Sequence, residues 1–165
     1  MQIISNKFVI DTDCLNFLLN SYIGKEILYF IELLLPHSIL NELGQKERKD
    51  LKKMNYRIVE LGRDDRNYAG NIIWKIYQDK EYKISYLKNR KIHHTGEAEG
   101  AAIARKEKCN LVIKERRTSS IIKKMFQHSI IPILNLIQFG KYVLESNGLA
   151  EQVKNYTDEV YKEYS

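Results

Sequence analysis

The feature that most constrains this chain is the alternation of short, mainly apolar runs with longer segments of helical periodicity. The run at 7–11 is apolar on both sides and 109–113 also has the character of a buried strand, which is typical of strands that helices cover on both faces. The segment at 56–61, which contains Arg57 and Glu60, is a further strand candidate. We expect a further strand near the end of 27–35 and another at 129–132. Strands that alternate with helices predict an α/β fold with a mostly parallel central sheet in a Rossmann-like, three-layer arrangement.

The segments between these runs carry apolar residues at helical spacing. Thr12 or Asp13 is expected to cap the first helix, since small polar residues can bind the free backbone N–H groups there. The predicted helices run from this cap to Gly24, from Pro36 to Gly44, over 67–87 and 95–108, after the strand at 109–113, and again from near Ile133.

The length, the cysteines and the absence of long apolar stretches limit the class of protein. A chain of 165 residues can bury the core of one domain without cross-links. No stretch resembles a signal peptide or the roughly 20 apolar residues that span a bilayer. Cys14 and Cys109 are too few for a disulfide framework, and their spacing does not suggest zinc. We expect a soluble cytoplasmic protein with one domain over 1–146 and a C-terminal helical extension over 147–165.

Basic residues outnumber acidic residues and gather in clusters. The net charge of +6 and the pI near 9.2 are compatible with an anionic partner such as a nucleic acid. The clusters lie at 44–53, 83–94, 114–117 and 122–124. Taken alone, each cluster is better explained as a solvated helix face, so only a nearby site would favour phosphate binding.

Acidic residues stand where the predicted strands end and where the next helices begin. Asp11 ends the first strand, Glu42 lies on the helix after the second, and Glu115 follows the run at 109–113. Glu97 and Glu99 open the alanine-rich helix. Two residues that are two positions apart are rotated by roughly 200 degrees around the helix axis, so only one of these glutamates can face the sheet edge. Because parallel strands end at a common edge, four carboxylates are expected to share one pocket. Such oxygen ligands are typical of Mg²⁺ or Mn²⁺ sites.

Two kinds of residue near this edge have more than one interpretation. The hydroxyl of Thr12 could orient the Asp11 carboxylate, or it could simply cap the helix. Tyr68 and Tyr82 could stack on bases, although aromatic residues at helical spacing more often belong to a core.

Four stretches in order resemble the PIN-domain family over about residues 5–147. They read "FVIDTDCLNFLL", "LLPHSILNEL", "HTGEAEGAAIARKEKCNLVIKERR" and "IIPILNLIQFGKYVLESNG". The resemblance implies a PIN-type, Rossmann-like sheet and a divalent-metal nuclease that hydrolyses single-stranded RNA with Mg²⁺ or Mn²⁺. Many members of the similar branch are toxins of bacterial toxin-antitoxin pairs, which implies an antitoxin protein as partner and a possible homodimer.

The resemblance also assigns site residues by position. Asp11, Glu42 and Glu97 match the acidic residues of the family, and this match selects Glu97 over Glu99. Arg116 and Arg117 match its basic turn and, with Thr12 and Lys114, are the residues expected to contact RNA. Glu115 is a further candidate for catalysis and metal binding.

One position departs from the family pattern. Lys114 stands where the pattern has an aspartate, and Ser119 and Ser120 stand near its expected Gly-Arg pair. Two unit charges about 4 Å apart interact by about 4 kcal/mol at an effective dielectric near 20. The change from a negative to a positive side chain at position 114 could therefore alter the interaction energy with a divalent ion by the order of 10 kcal/mol. Three outcomes are open: the lysine turns to solvent or RNA while Glu115 binds metal, its ammonium replaces one cation, or catalysis is lost.

Two other functions remain as alternatives. A catalytically impaired PIN-like interaction module that binds RNA or a protein would explain Lys114 and the missing Gly-Arg. An unrelated Rossmann-like ligand binder is less consistent with the sequence, because Gly96 and Gly100 do not form a glycine-rich phosphate loop. We expect metal-assisted phosphodiester hydrolysis, since the other acidic residues are present.

Overall fold

The structure is a computed structural model that describes residues 3, 5–79, 83, 95–114, 116–125 and 132–164. Glu115, Tyr82 and the predicted strand residues 129–131 lie outside the described residues. The described part contains no helix that is long and apolar enough to cross a membrane.

The five strands of the described residues form a single sheet in the order β3-β2-β1-β4-β5, and every pair is parallel. The central strand β1 pairs Phe8 with Leu33 on one side and with Asn110 on the other. The strands are β1 Lys7–Ile10, β2 Glu32–Leu35, β3 Tyr56–Ile58, β4 Asn110–Val112 and β5 Ile133–Leu134. The strand β3 lies within the candidate segment at 56–61.

Helices connect the strands and cover both faces of the sheet. A short 3-10 turn, Ala150–Gln152, precedes the last helix. The helices are α1 Thr12–Asn20, α2 Tyr22–Tyr29, α3 His37–Glu42, α4 Gln45–Leu51, α5 Arg63–Ile76, α6 Thr95–Glu107, α7 Arg116–Met125, α8 Leu136–Ser146 and α9 Val153–Tyr164.

The sheet divides the core into two apolar clusters, as the mainly apolar strand runs predict. Phe8 and Ile10 pack with residues of α1, α2, α8 and α9, whereas Val9 between them packs with α5, α6 and α7. Successive side chains of a strand point to opposite faces, so both faces of β1 must be apolar. The prediction of an α/β protein with a central parallel sheet flanked by helices is confirmed.

The last helix, α9, is packed into the first of these clusters. Tyr156 is fully buried, and its hydroxyl donates a 2.6 Å hydrogen bond to the carbonyl oxygen of Leu136. A Cβ on Gly140 would lie 1.9 Å from Cε1 of the Tyr156 ring, so only glycine allows α8 and α9 to approach this closely. Val160 belongs to the same cluster.

Some predicted boundaries are wrong, for identifiable reasons. The first helix ends at Asn20, because Ser21 caps a second helix and accepts a hydrogen bond from the backbone N–H of Gly24. Gly24 lies inside α2, where an added Cβ would meet the Leu18 carbonyl oxygen at 2.6 Å. Ile133 belongs to a strand and not to a helix, because it pairs with Leu111 of β4.

Candidate functional site

The acidic residues of interest lie at the carboxyl edge of the sheet. Asp11 directly follows β1, and Glu42 is the last residue of α3, the helix that follows β2. The helix α6 precedes β4 and begins at Thr95, which brings Glu97 in its first turn to the same edge. Crossover connections of parallel strands produce this convergence, since each helix runs back against the strand direction.

Asp11 is held in one orientation by two backbone groups. It is 3 % exposed, and its Oδ1 accepts a 2.8 Å hydrogen bond from the N–H of Cys14. Its Oδ2 accepts a 3.0 Å hydrogen bond from the N–H of Lys114. Burial raises the pKa of the Asp11 carboxyl, and these hydrogen bonds only partly oppose that effect. Asp11 itself is therefore the N-cap of α1, and the prediction of Thr12 or Asp13 as cap is wrong.

Thr12 contacts a different carboxylate from the one that we expected. Its hydroxyl donates a 2.8 Å hydrogen bond to Oε2 of Glu42, across 30 residues of sequence. The other oxygen of Glu42, Oε1, lies beside Gly96, where an added Cβ would approach it to 3.2 Å and Ile39 to 3.0 Å. The lack of a side chain at position 96 thus allows the first turn of α6 to lie directly against Glu42.

Glu97 experiences the charges of the other two acids. Burial, followed by the negative charge of Asp11, raises the pKa of Glu97 from 4.5 to about 7, and the charges of Glu42 and Asp13 add to this. A Coulomb interaction of this kind requires proximity in a medium less polar than water. Glu97 is therefore electrostatically coupled to Asp11 and Glu42.

The three acids do not form an assembled metal centre. Among the residues that the structure describes, no group of three or more His, Cys, Asp or Glu side chains could hold a metal ion as arranged. The donor chemistry nevertheless fits Mg²⁺ or Mn²⁺, since all donors are carboxylate oxygens. Burial raises the pKa of Glu97 most, and the negative charges of Asp11 and Glu42 add a repulsion that a bound cation would relieve.

The side chain of Lys114 lies against the C-terminal helix. Its Nζ lies 4.2 Å from the centroid of the Tyr164 ring, a cation–π contact. Lys114 forms no ion pair with any carboxylate among the residues that the structure describes. The three outcomes expected for this residue remain proposals, because the contact with Tyr164 does not fix the position of a cation.

The basic turn after β4 is divided between two environments. Arg116 is exposed and lines a cleft with Lys114. Arg117 forms an ion pair with Asp79 beyond the end of α5, at 3.6 Å. Arg116 is therefore the better placed of the two arginines to contact a substrate near Lys114.

Two clefts meet at the Lys114–Tyr164 contact. One has a volume of about 700 Å³ and includes Asp13 and Phe17 in its lining, and the other has a volume of about 640 Å³ and includes Arg116 and Tyr161. Neither is lined by Asp11, Glu42 or Glu97, so both clefts lie beside the acidic residues and not over them.

The sequence analysis missed the aromatic residues of α9. Tyr161 and Tyr164 line the smaller cleft, whereas Tyr68, which we considered for base stacking, is half-buried with the Arg105 guanidinium 4.1 Å from its ring centroid. The only available signal was the tyrosine content of the tail, and nothing in the local pattern indicated where α9 would dock.

The fold and the site together define an α/β protein with three coupled carboxylates at the carboxyl edge of an all-parallel sheet. No protein-family model and no curated protein matches the chain. Among solved structures, the chain is similar to VapBC2 from Rickettsia felis, determined with a DNA fragment from its promoter, at 14 % identity and a TM-score of 0.46. That match covers 78 % of this chain and 98 % of the other.

Proposed function

We propose that this protein is a PIN-type ribonuclease that uses Mg²⁺ or Mn²⁺ to hydrolyse phosphodiester bonds in RNA. The observation that carries the proposal is the convergence of Asp11, Glu42 and Glu97 at the carboxyl edge of the sheet, where burial, and then the charges of Asp11 and Glu42, raise the pKa of Glu97 to about 7. Acidic groups that repel one another at a strand edge are characteristic of a cation site. The sequence resemblance to the PIN family assigns the same three residues.

In this proposal, Asp11, Glu42 and Glu97 hold the cation, and Glu115 is a further ligand candidate. The cation would supply Lewis acidity, which lowers the pKa of a water molecule and stabilises negative charge on the phosphate. The protein contributes orientation: the backbone N–H groups of Cys14 and Lys114 fix the Asp11 carboxylate, and Thr12 fixes Glu42.

The basic residues beside the acids would bind the substrate. Lys114 and Arg116 are exposed on the same cleft and can neutralise RNA phosphates, and Arg117 can contribute if it exchanges Asp79 for a phosphate. An antitoxin protein that covers this cleft, and a homodimer, are proposals that rest on the family resemblance alone.

A second function, a metal-free module that binds RNA or a protein, is favoured by two observations. Lys114 stands at a position where the family pattern has an acid, and the described acidic residues are not assembled as metal ligands. A cleavage assay with variants separates this function from catalysis.

The experiment compares the cleavage of unstructured and structured RNAs in manganese by the wild type, Asp11→Asn and Glu99→Gln. We expect cleavage of unstructured RNA that Asp11→Asn abolishes. Glu99 lies on the same helix as Glu97 but is not one of the three coupled acids. Glu99→Gln therefore removes one negative charge from this helix and should retain activity. Equal activity of Asp11→Asn and the wild type, or no cleavage by the wild type, would exclude the proposed catalysis and favour the binding module.

A further inference from the structure

The cleft of about 640 Å³ combines Lys114 and Arg116, assigned above to RNA phosphates, with aromatic side chains that have no role in the proposed function. It lies between α7, the β5–α8 connection and α9. Its volume is within the usual range of ligand pockets. Its polar and aromatic lining residues include Lys114, Arg116, Ser119, Ser120, Lys123, Asn135, Gln138, Tyr161 and Tyr164.

One wall of this cleft is basic. Lys114, Arg116 and Lys123 line it and are all exposed. The helix α7, which carries two of them, reads "RRTSSIIKKM" and has no acidic residue to neutralise this charge. Exposed cations on one wall, with serine hydroxyls between them, are suited to the phosphates of a nucleic acid backbone.

The aromatic part of the lining comes from α9. Tyr161 is 61 % exposed and does not belong to the core. Tyr156, five residues earlier on the same helix, is fully buried. Tyr164 lies at the border of the cleft beneath the Lys114 ammonium. An exposed cation–π contact is weak, so a nucleobase can replace the ammonium on this ring while the ammonium binds the adjoining phosphate.

The position of this aromatic part of the lining is fixed by contacts on the other side of α9. The hydroxyl of Ser21 donates a 2.5 Å hydrogen bond to Oε2 of Glu159, and the ring of Phe17 packs against Tyr156 and Tyr164 at centroid distances of 6.3 and 5.8 Å. The tyrosines are thus presented by a helix that is already docked, which lowers the entropic cost of binding.

We propose that this cleft binds a segment of single-stranded nucleic acid, with a base stacked on Tyr161 or Tyr164 and the backbone on Lys114, Arg116 and Lys123. The inference deepens the proposed function, because the bound strand would continue towards Asp11, whose Oδ2 accepts the N–H of the same Lys114. Stacking on an aromatic ring requires an unpaired base, so a duplex should bind more weakly.

The test measures binding of labelled eight-nucleotide single-stranded RNA and DNA, and of the corresponding duplexes, to the full chain in EDTA. We expect Tyr161→Ala to weaken single-strand binding on the order of tenfold and Tyr161→Phe to retain it, since the ring alone provides stacking. Tyr22→Ala is the matched control, because Tyr22 is 86 % exposed on α2 and does not line the cleft. Lys123→Ala should weaken binding and reduce its dependence on salt.

The results separate this inference from the proposed catalysis, because binding is measured without metal. Single-strand binding that depends on Tyr161, together with no cleavage in manganese, would support the cleft and overturn the ribonuclease. Cleavage by the wild type with unchanged binding in Tyr161→Ala and Tyr164→Ala would support the ribonuclease and overturn the cleft. Absence of single-strand binding, or equal binding of duplexes, would also overturn it.

Discussion

The backbone N–H of Lys114 donates a 3.0 Å hydrogen bond to Oδ2 of Asp11, across 103 residues of sequence. The residue with the unexpected charge therefore also fixes the carboxylate at the end of the central strand. Because this contact uses the main chain, the side chain of Lys114 can be changed while the orientation of Asp11 is kept. That separation makes the charge at position 114 testable on its own.

The first prediction concerns this charge. Lys114→Asp should strengthen manganese binding at least tenfold, because a negative charge near the acids attracts the cation that the lysine repels. The measurement is the rise in melting temperature with manganese concentration, since a ligand stabilises the state that binds it. Lys123→Asp is the control with the same charge change on α7. An equal gain in both variants would show that only the overall charge matters.

The second prediction separates the structural role of Asp11 from its proposed chemical role. Asp11→Ala removes the acceptor of two backbone N–H groups and the N-cap of α1, so it should destabilise the protein by about 1 to 2 kcal/mol. Asp11→Asn keeps one acceptor oxygen and should cost less, yet it should abolish cleavage. Urea denaturation measures the stability of both variants, and the RNA cleavage assay measures their activity. If Asp11→Ala were more stable than the wild type, the cost of burying the carboxylate would exceed the value of its hydrogen bonds.

The third prediction uses the pH dependence of stability. The pKa of Glu97 in the folded protein, about 7, exceeds its ordinary value of 4.5, so protonation favours the folded state. This contribution is complete below about pH 4.5 and is lost as the pH rises through 7. In the absence of metal, Glu97→Gln should therefore be more stable than the wild type by about 2 to 3 kcal/mol at pH 8.

The difference between Glu97→Gln and the wild type should shrink towards zero as the pH falls to 5, when measured by urea denaturation. Glu99→Gln controls for the loss of one charge from α6. A difference that does not vary with pH would contradict the raised pKa of Glu97 in the folded protein.

The fourth prediction compares two glycines in helices. Gly70 has no atom within 4 Å of an added Cβ, so Gly70→Ala should stabilise the protein by about 0.5 to 1 kcal/mol through helix propensity. Gly96→Ala should not gain this stability, because its Cβ would press on Ile39 and Glu42 at 3.0 and 3.2 Å. Displacement of Glu42 should also weaken manganese binding. Equal stability and equal metal response in the two variants would contradict the close approach of α6 to Glu42.

The fifth prediction tests how the C-terminal helix is attached. Tyr156→Ala empties a fully buried site in the core and should cost about 3 to 5 kcal/mol in free energy of unfolding. Tyr156→Phe removes only the hydrogen bond to the Leu136 carbonyl and should cost about 1 kcal/mol. Tyr161→Ala, an exposed position on the same helix, should change stability by less than about 0.5 kcal/mol. A small effect of Tyr156→Ala would mean that α9 contributes little to the core.

The sequence by itself determined the parallel α/β architecture, because wholly apolar runs such as the one at Phe8 require cover on both faces of a sheet. It also indicated that Asp11, Glu42 and Glu97 would lie at one edge, since the ends of parallel strands meet there. Local patterns carry this information because backbone periodicity is a property of neighbouring residues.

Only the tertiary structure decided what each side chain contacts. The hydroxyl of Thr12 binds Glu42 and not Asp11, and the Lys114 ammonium lies on the ring of Tyr164, 50 positions away in the printed sequence. The docking of α9 depends on a fit between Tyr156 and Gly140. These contacts join segments that are distant along the chain, and their geometry follows from packing in three dimensions, which no local period encodes.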